Sequence, residues 1–205
     1  MSSTITRVLS VDIGIINMAY CIIDFWEKPG SAEYEFSLVH IEKRSIGTIR
    51  QSMYELMINV IAFLNEAEPI HAKTIDVVLI EKQLPRAIKN VVLSFVVMTY
   101  VHVRCTNDAR FVQSWKKFDA VKYVFQKFAC VQQVDFKKRG SRPLKQLSVE
   151  LATRLFAEFQ CLEGLRAIEE YRPKIDDICD VFLQSFTVFL QWRRFIATPT
   201  LSDSA

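Results

Sequence analysis

The spacing of apolar positions changes period along this chain. Val8 to Ile13 is a β-rich apolar run, Asn17 to Phe25 is a second, and Gly14 lies between them. That pattern predicts a hairpin turning near Gly14 to Ile16. Phe36 to Ile41 (FSLVHI) predicts a third strand, so the chain opens as an antiparallel meander. Ile49, Met53, Leu56, Met57, Val60, Ile61 and Leu64 then fall at helical spacing. Thr48 is the expected cap of this helix, and Pro69 lies beyond its end. Ile75 to Ile80 (IDVVLI) is nearly continuous in apolar residues and reads as a buried central strand, ended by Pro85.

Residues 86 to 104 carry two signals. Their β-branched content favours a strand, and their length favours a helix. A strand of nearly 20 residues would be unusual, so a helix is expected. Arg110 to Ser114 reads as a short fifth strand, and Val121, Val124, Phe125 and Phe128 give Ala120 to Cys130 helical spacing. Residues 137 to 145 (KKRGSRPLK) hold five basic side chains and are expected to form a loop, broken by Gly140 and Pro143. Leu147, Leu151, Leu155, Phe156 and Phe159 mark a further helix. Pro173 is placed as the first turn of a long amphipathic C-terminal helix through Ile175, Ile178, Phe182, Ser185, Phe186 and Phe189. Residues 197 to 205 form a polar tail. The expected fold is α/β: one domain over residues 1–196, with a mixed five-stranded sheet, three antiparallel strands first, flanked by helices.

Composition narrows this picture only slightly. The 205 residues suit one core, and half are hydrophobic. Net charge is +3, from 26 basic and 23 acidic residues, so the distribution of charge carries more information than its sum. Five cysteines without a C-x-x-C pair argue against a disulfide framework or a zinc site. The longest apolar run, Val91 to Val103, includes Ser94, Thr99 and His102 and falls short of the ~20 residues a membrane span needs. No membrane association is expected, and nothing at the N-terminus resembles a secretion signal.

Four acidic residues occupy chemically suggestive positions. Asp12 ends one apolar strand, Glu81 follows another, and Asp177 and Asp180 lie three apart near a helix start, sharing one face beside Asp176. Singly, Asp12 and Glu81 each read as the first solvated position of a loop, and the helix pair reads as partners of the helix macrodipole. Together they read differently, because Ile175, Ile178 and Phe182 run through the acidic cluster and require that face to pack. Packed on the sheet bearing Asp12 and Glu81, the helix brings four carboxylates together. Their repulsion calls for divalent cations, and hard oxygen donors favour Mg²⁺ or Mn²⁺. Two such ions in one site suit phosphodiester hydrolysis. The three histidines, His40, His71 and His102, are scattered and expected to be structural or exposed.

The stretches LSVDIGIINMAYCIID, LIEKQ and KIDDICD resemble, in order and spacing, the Holliday junction resolvases of poxviruses. Those enzymes group with bacterial RuvC and the yeast mitochondrial cruciform-cutting enzyme in the RNase H-like superfamily. The resemblance covers residues 8 to about 190. It implies that Asp12 is the first-strand aspartate contacting both metals, that Glu81 is the glutamate of the fourth strand, and that Asp177 and Asp180 are the C-terminal helix pair. It also implies a basic residue near the site, for which Lys145 and Lys174 are both candidates. A homodimer making symmetric nicks in a four-way junction is implied as well, with Arg86 to Arg104 the candidate dimer element. Lys137, Lys138, Arg139, Arg142 and Lys145, with Lys82, Arg86 and Lys89, become candidate phosphate contacts. Action in host-cell cytoplasm at viral replication sites is expected, with the mitochondrion as the alternative.

Three other readings touch the same residues. Asp12-Ile13-Gly14-Ile15-Ile16-Asn17 resembles the first phosphate loop of actin, Hsp70 and sugar kinases. That fold needs further glycine-rich loops, and the five glycines here (Gly14, Gly30, Gly47, Gly140 and Gly164) are dispersed, so no nucleotide cofactor is expected. An RNase H or transposase-like nuclease would use the same carboxylates. A non-catalytic DNA-binding module would have no chemical use for all four.

Overall fold

The structure is a computed structural model. It describes residues 5–27, 34–67, 70, 74–104, 110–114, 117–132 and 141–188. Strand β1 (Thr6–Asp12) turns into β2 (Met18–Glu27), and β3 (Tyr34–Arg44) is the next described strand. Helix α1 (Met53–Glu66) and strand β4 (Val77–Glu81) follow. Next come α2 (Ile88–Arg104), β5 (Arg110–Ser114) and α3 (Lys117–Lys127). The last described elements are α4 (Ser141–Glu158), α5 (Leu162–Glu170) and α6 (Asp176–Ser185).

The sheet order is β3-β2-β1-β4-β5. The first three strands are antiparallel, and β4 and β5 run parallel to β1. The mixed sheet is therefore as expected; β5 is described by its backbone pairing alone. The hairpin between β1 and β2 turns at the expected place. A Cβ on Gly14 would lie 2.5 Å from the Asn17 carbonyl oxygen, so only glycine permits that close approach.

Alternation of side chains divides the core into two layers. Leu9, Val11, Tyr20, Ile22, Val78 and Ile80 pack against α1 and α2 on one face. Val8, Cys21, Ile23, Phe25, Val77 and Leu79 pack against α4, α5 and α6 on the other. Helix α6 is nearly engulfed there: Ile178, Cys179, Val181 and Phe182 have no exposed surface. The Phe182 ring centre lies 4.4 Å from that of Phe156 in α4, and the Phe186 ring centre 5.4 Å from that of Phe25 in β2. Burying one such ring stabilises the fold by roughly 1.5–3 kcal/mol.

Several local expectations are corrected. Ser52, not Thr48, caps α1. Its hydroxyl accepts the Glu55 amide at 3.2 Å and the Glu55 carboxylate accepts the Ser52 amide at 2.7 Å, a complete capping box. Ile49, counted on the helical face, lies in the preceding turn with 67% of its surface exposed. Pro173 does not open the last helix; it sits in the turn between α5 and α6, and α6 begins at Asp176 with two aspartates in its first turn. Helix α5 had no counterpart among the expected elements. The basic segment is not a loop throughout: from Ser141 it is helical, so Arg142 and Lys145 belong to α4, while Lys137, Lys138 and Arg139 lie outside the described residues. A proline within the first turn of α4 lacks only an N–H that would have no helical partner there.

No helix among the described residues is long and apolar enough to cross a membrane. Among the described residues, Cys21, Cys130, Cys161 and Cys179 form no disulfide, and Cys105 lies outside the described residues.

Candidate active site

The site begins as a row across the sheet. Val11 pairs with Ile80 in the parallel β1–β4 ladder, so one residue further Asp12 stands beside Glu81. Asp12 pairs with Ala19 of β2, Ala19 with Lys43 of β3, and Glu81 with Ser114 of β5. Alternation places Asp12 and Glu81 on the face covered by α6, since Val8 and Val77 point to that layer and Leu9 and Val78 to the other. This is the carboxyl end of parallel strands where connections leave in opposite directions, the place at which open α/β sheets bind ligands.

Helix α6 lies over this row with its N-terminal end foremost. The Cys21 thiol donates to the Val181 carbonyl at 3.3 Å, which fixes the helix middle over the row of Ser10 and Cys21. Burial pushes that thiol's pKa up, so it stays protonated and keeps donating. Just before the helix, the Lys43 ammonium donates to the Lys174 carbonyl and lies 5.5 Å over the Tyr171 ring. The first turn of α6 therefore sits above the row of Asp12, Ala19 and Lys43. Asp177 and Asp180 are both half-buried there, as are Asp12 and Glu81.

Lys145 joins the same group from α4. Its ammonium bonds the Asp176 carboxylate, and its pKa is raised above the ordinary lysine value, chiefly by that hydrogen bond and further by the charges of Asp176, Asp177 and Asp12. Lys145 thus feels acidic groups of both β1 and α6. Lys174, the other candidate, has an exposed side chain and contributes its carbonyl to Lys43. Lys145 is the better placed of the two.

A polar network supports the strand ends from the opposite side. Asn90, in the first turn of α2, donates to the Ile13 carbonyl at 3.1 Å and to the Gln83 side-chain oxygen at 3.4 Å. Gln83 donates in turn to the Glu81 carbonyl at 3.0 Å. Lys89, expected on phosphate, instead donates to the carbonyls of Ile49 and Gln51 at 2.8 and 2.6 Å and anchors the turn before α1. Lys82 and Arg86 are exposed on the segment after Glu81.

Lys43, Gln83 and Asn90 were not among the expected site residues. Lys43 left one trace in the sequence. It continues the buried side of β3 after Phe36, Leu38 and Ile41, where an apolar residue would be normal. Of the histidines, His40 lies half-buried within 3.6 Å of Glu42 and 3.7 Å of Glu163, His102 is exposed in the last turn of α2, and His71 lies outside the described residues.

The donor set suits a hard divalent cation: four half-buried carboxylates and no thiol or imidazole on the row. Among the described residues, however, no three acidic, histidine or cysteine side chains are placed close enough together to enclose one ion. The backbone positions converge; the carboxylate groups themselves do not form a closed cluster.

No protein-family model matches the chain, and no curated protein matches it in sequence. Solved structures do match it in shape. The fowlpox virus resolvase, in complex with its substrate Holliday junction DNA, superposes over 94% of this chain and all of its own, at 20% identity and a TM-score of 0.54. The fowlpox virus Holliday junction resolvase alone covers 92% of this chain and 99% of its own, at 19% identity and 0.54. RuvC of Thermus thermophilus covers 92% and 97%, at 13% identity and a TM-score of 0.56. The fold is accordingly an RNase H-like α/β fold of the RuvC-like kind.

Proposed function

We propose that this chain is a divalent-metal-dependent endonuclease that resolves four-way DNA junctions. The observation that carries the reading is the row of Asp12 and Glu81 beneath the acidic first turn of α6, on a fold shared with resolvases that bind Holliday junctions. Asp12, Glu81, Asp177 and Asp180 would hold two Mg²⁺ ions, with Mn²⁺ as a substitute. When bound, such ions activate water and neutralise the leaving oxygen of a phosphodiester.

The chain's own residues account for the rest. Asp12 and Glu81 end two neighbouring strands of one parallel ladder, which sets them side by side just past its last pair. Asp177 and Asp180 are held by a helix with little freedom to slide, since Cys21, Phe25 and Phe156 grip its buried side. Lys145 offsets part of the negative charge and presents an ammonium toward an incoming phosphate. Lys82, Arg86 and Arg142, with Lys137, Lys138 and Arg139, supply further positive charge for the DNA backbone, a contact that orients the substrate without reading its sequence.

Paired cuts need two sites related by symmetry. Helix α2 offers the surface for a second copy. Ile88, Phe95 and Val103 are 67%, 59% and 67% exposed, lie along one stripe, and follow the helix for most of its length. A second copy laid along this stripe would cover these apolar side chains.

The test is cleavage of a labelled four-way junction, an RNA–DNA hybrid and plain duplex, each with Mg²⁺ and with chelator. Mg²⁺-dependent nicking of the junction alone supports the reading. Cutting of the hybrid in its place would retain the carboxylate chemistry and overturn the substrate.

A further inference from the structure

The hydrogen bonds beneath the strand ends join three elements through two side-chain amides. Asn90 uses one amide nitrogen on both the Ile13 carbonyl and the Gln83 oxygen, at 3.1 and 3.4 Å. Gln83 passes the connection to the Glu81 carbonyl at 3.0 Å. Only one orientation of each amide satisfies this chain, with every nitrogen facing an oxygen. Ile13 directly follows Asp12, so the two peptides restrained belong to, or adjoin, the two strand-end carboxylates. Both amides are half-buried, where a satisfied network is stronger than in water and costly to interrupt. The neighbouring residue, Lys89, pins the same turn of α2 to the carbonyls of Ile49 and Gln51. The first turn of α2 is therefore fixed to the body of the protein and to both strand ends at once.

We propose that Asn90 is a positioning residue, which through Ile13 and Gln83 sets the separation of Asp12 and Glu81 and makes that separation depend on the first turn of α2. Asn90 touches no reacting atom; it acts through the two peptides it restrains. The inference rests on the nuclease reading, and it gives α2 a second role. The helix whose outer stripe is assigned to a second copy of the chain holds the strand ends with its inner side. Ordering of α2 by the second copy is thereby passed to the carboxylates as a narrower range of separations, which suits an enzyme that should cut only when paired.

The experiment compares the full chain with Asn90→Ala, Gln83→Ala and the double variant. Asn90→Asp keeps the size of the side chain and removes the donor, which guards against a trivial packing defect. Two readouts are needed. The first is amide hydrogen exchange without metal or DNA. Each single variant is expected to speed exchange about tenfold in both segments, 13–17 and 81–87, as loss of one buried hydrogen bond would. The second is junction cleavage under single turnover beside junction affinity. The rate is expected to fall roughly 10–100-fold with affinity unchanged, and the double variant to be no slower than the worse single one. Faster exchange confined to one segment overturns the proposal. So do additive rate losses, or a loss of affinity in place of rate. A wild-type chain that cuts no junction would defeat the nuclease reading, while the exchange readout still decides whether the amides tie the two strand ends together.

Discussion

Lys145 of α4 is bonded to Asp176 of α6, and this pair ties the two helices together at the end of the sheet where Asp12 lies. The bond raises the lysine pKa, so its contribution to stability is complete below the ordinary lysine value of about 10.4 and is lost as pH rises through the higher folded value. Lys145 is consequently a cation throughout pH 6–9, and no limb of a cleavage–pH profile in that window arises from it. Lys145→Met is expected to slow junction cleavage roughly 10–100-fold, with Lys145→Arg restoring much of the loss. Lys174→Met should cleave at close to the wild-type rate. Single-turnover rates of the three variants over pH 6–9 check this ranking, and a slower Lys174 variant would reverse it.

Asp12 has the most constrained position of the four carboxylates, with β2 on one side and β4 on the other. Asp12→Asn preserves shape and removes the charge. It is expected to reduce cleavage by roughly 10³-fold or more. Junction affinity should change little, since the proposed phosphate contacts are basic residues elsewhere. Gel-shift affinity measured beside the cleavage rate separates the two effects. Cleavage at the wild-type rate would remove Asp12 from the site.

Much of this arrangement was legible from the sequence. Short β-rich apolar runs marked the strands, and the apolar residues interleaved with Asp177 and Asp180 required their helix to pack on the sheet, as α6 does. Other features were hidden for physical reasons. Thr48 and Ser52 are both good caps, and only the reciprocal bond with Glu55, three residues after Ser52, decides between them. Helix α5 is strongly amphipathic but only nine residues long, shorter than the window over which helical spacing is read. The α2 node escaped because Lys89 and Asn90 bond backbone carbonyls, and a carbonyl acceptor carries no side-chain identity to read. Lys89 resembled a phosphate ligand for that reason.

The capping box gives a prediction about stability alone. Ser52→Ala is expected to cost about 1 kcal/mol. For a chain of this size that lowers Tm by roughly 2–4 °C. Thr48→Ala should leave Tm unchanged, since its side chain caps nothing in α1. Thermal melts of both variants compare the two residues directly.

The basic residues make a separate prediction about DNA. Neutralising Lys137, Lys138 and Arg139 together is expected to weaken binding to all DNA forms alike. It should also lower the slope of log affinity against log salt by about 0.9 for each phosphate that the protein no longer neutralises. Affinity titrations between low and moderate salt measure that slope. An unchanged slope would assign the DNA surface to other residues, with Lys82, Arg86 and Arg142 next in line.

The central claim is that two copies of this site act as a pair on one four-way junction. The most direct measurement is cleavage of a cruciform extruded from a supercoiled plasmid, followed over time in Mg²⁺. Coordinated cuts within one complex convert supercoiled circles to linear DNA with little nicked intermediate, and Asp12→Asn should yield neither product. Accumulation of nicked circles without linear DNA, or cutting that persists in the Asp12 variant, would contradict the account.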